Sequence, residues 1–313
     1  MNSSLTTLAP IKSNQPASEA AQLAGRTFLQ LDKKNIRLIQ SLSTPDGKKF
    51  LTWSCMHVSI WAGLLTLLYF AQNSFFASLI LALLIASQLH TFTVLQHDCG
   101  HKAAFRSEHT NLWVGRFFAW FIFMPFTVFT ELHRRHHAHL GDPDRDPDEW
   151  FYASGKKWLF IRECLFMPRF IWLSLSGNLS APIKKRIMQE LIFNGITLAL
   201  IVYLLWMNGL SSIALYGILL PMFLLATVIN PISRGYEHYP MANMDRTDLR
   251  RKDLRFNTIT VKNRFIGLVW ANINYHVEHH LYPRIPFYRL PYMHRLLRNK
   301  NYIIRSFVLQ NID

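Results

Sequence analysis

The chain has 313 residues, half of them apolar and 14% aromatic, and its 34 Lys and Arg outnumber 19 Asp and Glu to give a net charge of +15. It is too apolar for an ordinary soluble domain and too polar for bare membrane spans, so a membrane part with a polar cap is expected. Nucleic acid is set aside as the source of the charge, because no recognition motif accompanies it and the basic residues are unevenly placed.

In chain order, residues 1–25 are polar and lack the apolar core of a secretory signal, which reads as a flexible tail. Residues 51–71 and 75–96 follow as two apolar runs near the length that crosses a hydrocarbon core, and 191–208 and 211–230 form a second such pair. Phe50 to His101 contains no Lys or Arg, nor does Ile187 to Ser233. All basic residues therefore fall in the N-terminal, middle and C-terminal segments, which the positive-inside rule makes cytoplasmic. A further apolar run, 113–130, carries Arg116 and Pro125. Crossing there would move more than a dozen cations outside, so a re-entrant or interfacial helix pair is expected instead. The aromatic run 158–177 holds Arg162, Glu163, Pro168 and Arg169, which suits an amphipathic helix along the headgroups. The three cysteines, Cys55, Cys99 and Cys164, have no spacing that suggests a disulfide framework. No internal repeat divides the chain.

Eight of the 14 histidines fall into three motifs: His97 and His101 in HDCGH, His133, His136 and His137 in HRRHH, and His276, His279 and His280 in HVEHH. On a helix, positions i, i+3 and i+4 share a face, so each motif presents its imidazoles together. All three lie where the chain is expected to leave the membrane on the cytoplasmic side. Eight imidazoles exceed one tetrahedral zinc site, and two ions are implied. Imidazole suits iron, copper, zinc and nickel alike. A site at the mouth of an apolar bundle meets lipid tails, however, and oxidising unactivated C–H bonds requires a redox metal.

HxxxH, HxxHH and HxxHH in this order, with four spans in two hairpins, resemble the membrane fatty acid desaturase and hydroxylase superfamily. HDCGH is similar to the first box of many acyl desaturases and NYHVEHHLYPRIP to their third. The resemblance implies an all-α integral membrane fold with interfacial helices and a cytoplasmic cap, a single domain over 26–313, and two irons held by the box histidines. It implies O2-dependent desaturation of a fatty acyl chain, with acyl hydroxylation or carotenoid ketolation as the alternative served by the same ligands. It also implies that His238, in SRGYEHYP, is an additional ligand. Asp98, Glu131, Glu237, Asn274 and Glu278 are the candidates to support the ligands through hydrogen bonds. GDPDRDPDE, with Asp142, Asp144 and Asp146, lacks the Gly and Glu of a calcium loop and is read foremost as a rigid loop, with support of the ligands as the alternative. His139 is rotated off the face of the second box, and His57 and His90 have no partner at ligand spacing. Neither a fused haem domain nor a dinucleotide fingerprint is present, so a ferredoxin-like or cytochrome b5-like carrier is expected to supply electrons at the basic cytoplasmic face.

Overall fold

The computed structural model describes residues 33–153, 155–299 and 306–308, so the polar segment 1–25 lies outside the described residues. After a short helix α1 (Lys33–Leu42) come α2 (Gly47–Ala71) and α3 (Phe75–Gly100), and later α9 (Ala181–Met207) and α10 (Ser211–Glu237). These last four are long and apolar enough to cross a membrane. Each extends the expected run at its basic or histidine-bearing end. Asp46 starts α2 by accepting from the Lys49 amide at 3.1 Å, and Ser74 starts α3 by accepting from Ala77 at 3.4 Å. α10 holds Pro221 and Pro231, and wide π-helical turns at Leu215–Leu219 and Leu225–Ile229 absorb the disturbance to its ladder.

The run 113–130 forms two helices, α4 (Glu108–Phe121) and α5 (Phe126–His139), bent by 106° at the break. Phe123, with φ of 53°, and Pro125 make the turn. The close approach of the two helices depends on Gly115, where a Cβ would stand 2.4 Å from the Phe126 ring. Glu190 of α9 accepts from Arg116 Nε, from the Thr127 amide and from Thr127 Oγ1, each at 2.9 Å. The arginine that argues against a fifth span is thus neutralised, and the same carboxylate caps the start of α5. In place of one amphipathic helix, 158–177 contains two, α7 (Lys156–Glu163) and α8 (Phe166–Ser176), separated at Cys164–Leu165. Trp158, Ile161, Leu165 and Trp172 are exposed.

The shorter elements include α6 (Glu149–Tyr152), α11 (Leu254–Asn257), β1 (Thr260–Lys262), α12 (Arg264–Val269), α13 (His276–Leu281), α14 (Leu290–Asn299) and β2 (Ser306–Val308). β1 and β2 pair in parallel, Thr260 opposite Ser306, which corrects the all-α expectation by one small ladder. A satellite core of Ile39, Tyr275, Val277, Leu281, Met293 and Leu297 binds α1 and α14 to α13. Arg289 Nη1 caps the end of α1 by donating to the carbonyls of Ser41, Leu42 and Thr44. Buried Arg251 braces the loops by pairing with Glu149 and donating to the Met241 and Met244 carbonyls.

Candidate metal centre

Three helix ends and one helix start converge on one site. α3 delivers His97 and, at its C-cap, His101; α5 delivers His133, His136 and His137; His238 caps α10; α13 delivers His276, His279 and His280. The nine imidazoles form two neighbouring groups. His97, His101, His133, His137 and His279 offer nitrogens within 4.8 Å of one another, and His136, His238 and His280 do the same. His276 joins the second group, its Nε2 lying 3.2 Å from that of His238 and 3.1 Å from that of His280. The groups adjoin where the rings of His137 and His280 stack at 4.2 Å.

The motifs do not act as blocks. His133 and His137 enter the first group while His136 between them turns to the second, and His276 and His280 enter the second while His279 turns to the first. At 100° per residue, i and i+4 differ by about 40°, whereas i+3 and i+4 stand about 100° apart. An HxxHH helix wedged between two sites therefore serves both.

The nitrogen spacing tests whether these residues fit a metal. The Nε2 atoms of His238, His276 and His280 form a triangle with sides of 3.1–3.2 Å. A neutral ring nitrogen either donates or accepts. Donor and acceptor cannot alternate around three atoms, so hydrogen bonding alone leaves one edge repulsive. His279 Nε2 similarly lies 3.0 Å from Nε2 of both His97 and His137. Metal–imidazole bonds of about 2.1 Å at right angles place neighbouring nitrogens about 3.0 Å apart, so the donor sets fit cations. Burial first, and the neighbouring imidazoles next, push His101, His238, His276, His279 and His280 well below their usual 6.5, which favours the neutral ligating form.

The supporting contacts differ from the sequence expectation. Burial pulls His136 down, yet Asp146 and then Asp148 carry it to about 8. His136 Nδ1 lies 2.9 Å from Asp146 Oδ1 and 3.6 Å from Asp148 Oδ2, so the carboxylates hold a proton on Nδ1 and leave Nε2 for the second group. The loop 141–148 thus supports the His136 ring. Gly141, at φ of 76°, permits its turn, since a Cβ would stand 1.8 Å from the Arg251 carbonyl oxygen. Arg234 of α10 pairs with Asp148 at 2.8 Å and Glu163 at 3.0 Å and covers the Phe166 ring. Thr258 Oγ1 and the Asn257 carbonyl lie 3.2 and 3.3 Å from His238 Nδ1. No short sequence spacing joins these groups; only the fold does.

Of the five support candidates, Asp98 and Glu237 adjoin the histidines. Asp98 Oδ1 is 3.4 Å from His97 Nδ1, while its other oxygen accepts from the Phe287 amide at 2.8 Å. Glu237 Oε2 is 3.5 Å from His276 Nε2. The other three are held by different partners. Glu131 is bonded by Arg134 at 2.8 Å, because its position on α5 faces the outer side. The Asn274 amide donates to the Val261 carbonyl at 2.7 Å and fixes the strand before the third box. Glu278 projects from the far face of α13, where Thr260 Oγ1 at 2.6 Å and His294 Nδ1 at 2.5 Å hold it. His139 stands outside both groups; His57 meets Gln88 and His90 meets Trp270 within the helix packing.

This arrangement of histidine-bearing helix ends agrees with the comparison to known proteins: the family described as Fatty acid desaturase matches residues 72–303. The chain belongs to the fatty acid desaturase family. That family is known for its use of iron. The omega-3 fatty acid desaturase, endoplasmic reticulum, of Vigna radiata var. radiata is 27% identical over 224 residues, covering 63% of this chain and 58% of that one. The sphingolipid delta(4)-desaturase/C4-monooxygenase DES2 of Rattus norvegicus is 28% identical over 216 residues, covering 64% and 60%. The sphingolipid delta(4)-desaturase DES1 of Homo sapiens is 27% identical over 221 residues, covering 66% and 61%. The matched region spans about three fifths of these curated relatives.

Proposed function

We propose that this desaturase introduces a carbon–carbon double bond into a fatty acyl chain, using O2 and two irons held by the nine grouped histidines. The observation that carries this reading is the pair of adjoining imidazole groups, five and four strong, at the buried ends of apolar helices. The irons, when bound, supply the oxidising chemistry that an unactivated C–H bond requires. His97, His101, His133, His137 and His279 hold one ion, and His136, His238, His276 and His280 hold the other. Asp146 keeps the proton on His136 Nδ1 and so fixes which nitrogen ligates. Phe129, stacked at 4.9 Å on His133, is part of the apolar wall that keeps bulk water from the groups.

The paired spans α2–α3 and α9–α10 form two hairpins, with both termini and the histidines on the cytoplasmic side and the connectors outside. The excess of Lys and Arg in the segments flanking these spans supports that orientation. Reporters fused after Asn73 and Asn208 are expected to show a non-cytoplasmic location; a cytoplasmic signal at either contradicts it. Electrons come from a ferredoxin-like or cytochrome b5-like carrier docked on the basic face, and the acyl substrate enters from membrane lipids.

Acyl hydroxylation is the second reading, favoured by the rat relative's double name of desaturase and C4-monooxygenase. Expression in a lipid-producing host followed by mass spectrometry separates the two. Loss of about two mass units from an acyl chain is the expected result, and a gain of about sixteen establishes hydroxylation instead.

A further inference from the structure

Segment 263–272 follows the fourth long helix and therefore belongs by chain position to the cap, yet its surface is apolar. Phe265 is 73% and Leu268 52% exposed. The two stand at i and i+3 on one side of α12, while Gly267 faces inward against Asn272. A soluble cap gains nothing from a large aromatic side chain left this open.

The depth of α12 follows from contacts among the long helices. His57 Nδ1 meets Gln88 Oε1 at 3.1 Å, fixing the register of α2 against α3. Thr91 lies three residues further toward the histidines, about 4.5 Å along the axis. At this height Leu51 and Met56 of α2, 47% and 37% exposed, turn apolar side chains outward. Thr91 Oγ1 donates to the Val269 carbonyl at 2.6 Å, and the Trp270 ring packs 5.2 Å from that of His90. The end of α12 is therefore pinned beside a candidate span at the height of that span pair's own outward apolar surface. α12 has only six residues, so Phe265 lies within about 6 Å of that height whatever the tilt of the helix. Lys262 and Arg264, exposed at its start, have the length to reach phosphates while their stems cover apolar surface.

We infer that α12 is inserted into the cytoplasmic leaflet, with Phe265 and Leu268 among the acyl tails and Lys262 and Arg264 at the headgroups. The occupant of this face is the phospholipid leaflet. The inference rests on reading α2 and α3 as spans. The inserted helix leads to His276 in seven residues, through Ala271 and Asn272 at φ of 46° and 58°. Lipid contact thus adjoins the element that carries three of the grouped histidines.

The test uses full-length protein with Cys55 and Cys164 changed to Ser. Phe265→Cys and Leu268→Cys are separately labelled with an NBD maleimide and reconstituted into phosphatidylcholine vesicles with or without 6,7-dibrominated chains. Bromination is expected to lower emission at both sites at least about two-fold, as it does for Met56→Cys on α2, with Arg250→Cys on the aqueous surface unchanged. Quenching at Met56→Cys alone, with aqueous iodide acting on positions 265 and 268, overturns the inference and leaves the spans intact. Protection of 265 and 268 from both quenchers places a protein surface there and equally overturns it. Quenching at none of the three sites overturns the spanning reading on which the inference rests.

Discussion

The two histidine groups are built from the same side chain but stand in different surroundings. The first group draws on α3, α5 and α13 and is walled by aromatic and aliphatic residues; Asp98, at 3.4 Å from His97, is its nearest carboxylate. Behind the second lies a charged network of Asp146, Asp148, Arg234, Glu163 and Glu237. The difference teaches that regular helices suffice to aim the first group. The second, which takes His238 from the end of α10 and His136 turned away from its neighbours, needs loops held by ion pairs.

Removing a ligand from either group should have the largest effect. His137→Ala and His280→Ala are each expected to abolish turnover and iron retention, measured by product analysis and by metal content of the purified protein; activity like the native chain's in either variant removes that histidine from the centre. Arg234→Met strikes only behind the second group. It leaves Glu163 and Asp148 buried without their cation, which costs about 3–5 kcal/mol and should appear as a marked fall in melting temperature. Adding Glu163→Gln should recover part of that loss, and no recovery would mean that the pairing is not its cause.

A direct contrast between the groups comes next. Asp146→Asn should weaken metal retention or turnover about 10–100-fold, because the amide no longer holds the His136 proton as a charged acceptor. Asp98→Asn should cost less than about ten-fold, since an amide oxygen still accepts from Phe287. Equal losses would erase the distinction drawn between the two surroundings. Smallest of all, Glu131→Gln breaks one surface pair with Arg134 and should change stability by less than about 1 kcal/mol with turnover unaffected.

Much of this was legible in the sequence for a physical reason. Apolar runs free of Lys and Arg mark long helices, and HxxxH or HxxHH on a helix brings imidazoles together, although not all three of an HxxHH on one face as expected. The break between α4 and α5 was readable from Pro125, although Glu190, 74 residues away from its partner Arg116, was not. Periodicity was silent on how HRRHH and HVEHH divide between two groups, because that depends on what each face of α5 and α13 meets. The support contacts were the least legible. Glu131 and Glu278 are close to box histidines in sequence yet point elsewhere, whereas Asp146 reaches His136 through a loop whose turn depends on Gly141.

The central claim, that nine histidines hold two ions of a redox metal, is tested most directly by metal analysis of the purified, membrane-extracted chain beside His280→Ala. About two irons per native chain are expected, with a clear loss in the variant. Zinc in place of iron, or equal iron in both proteins, would contradict it.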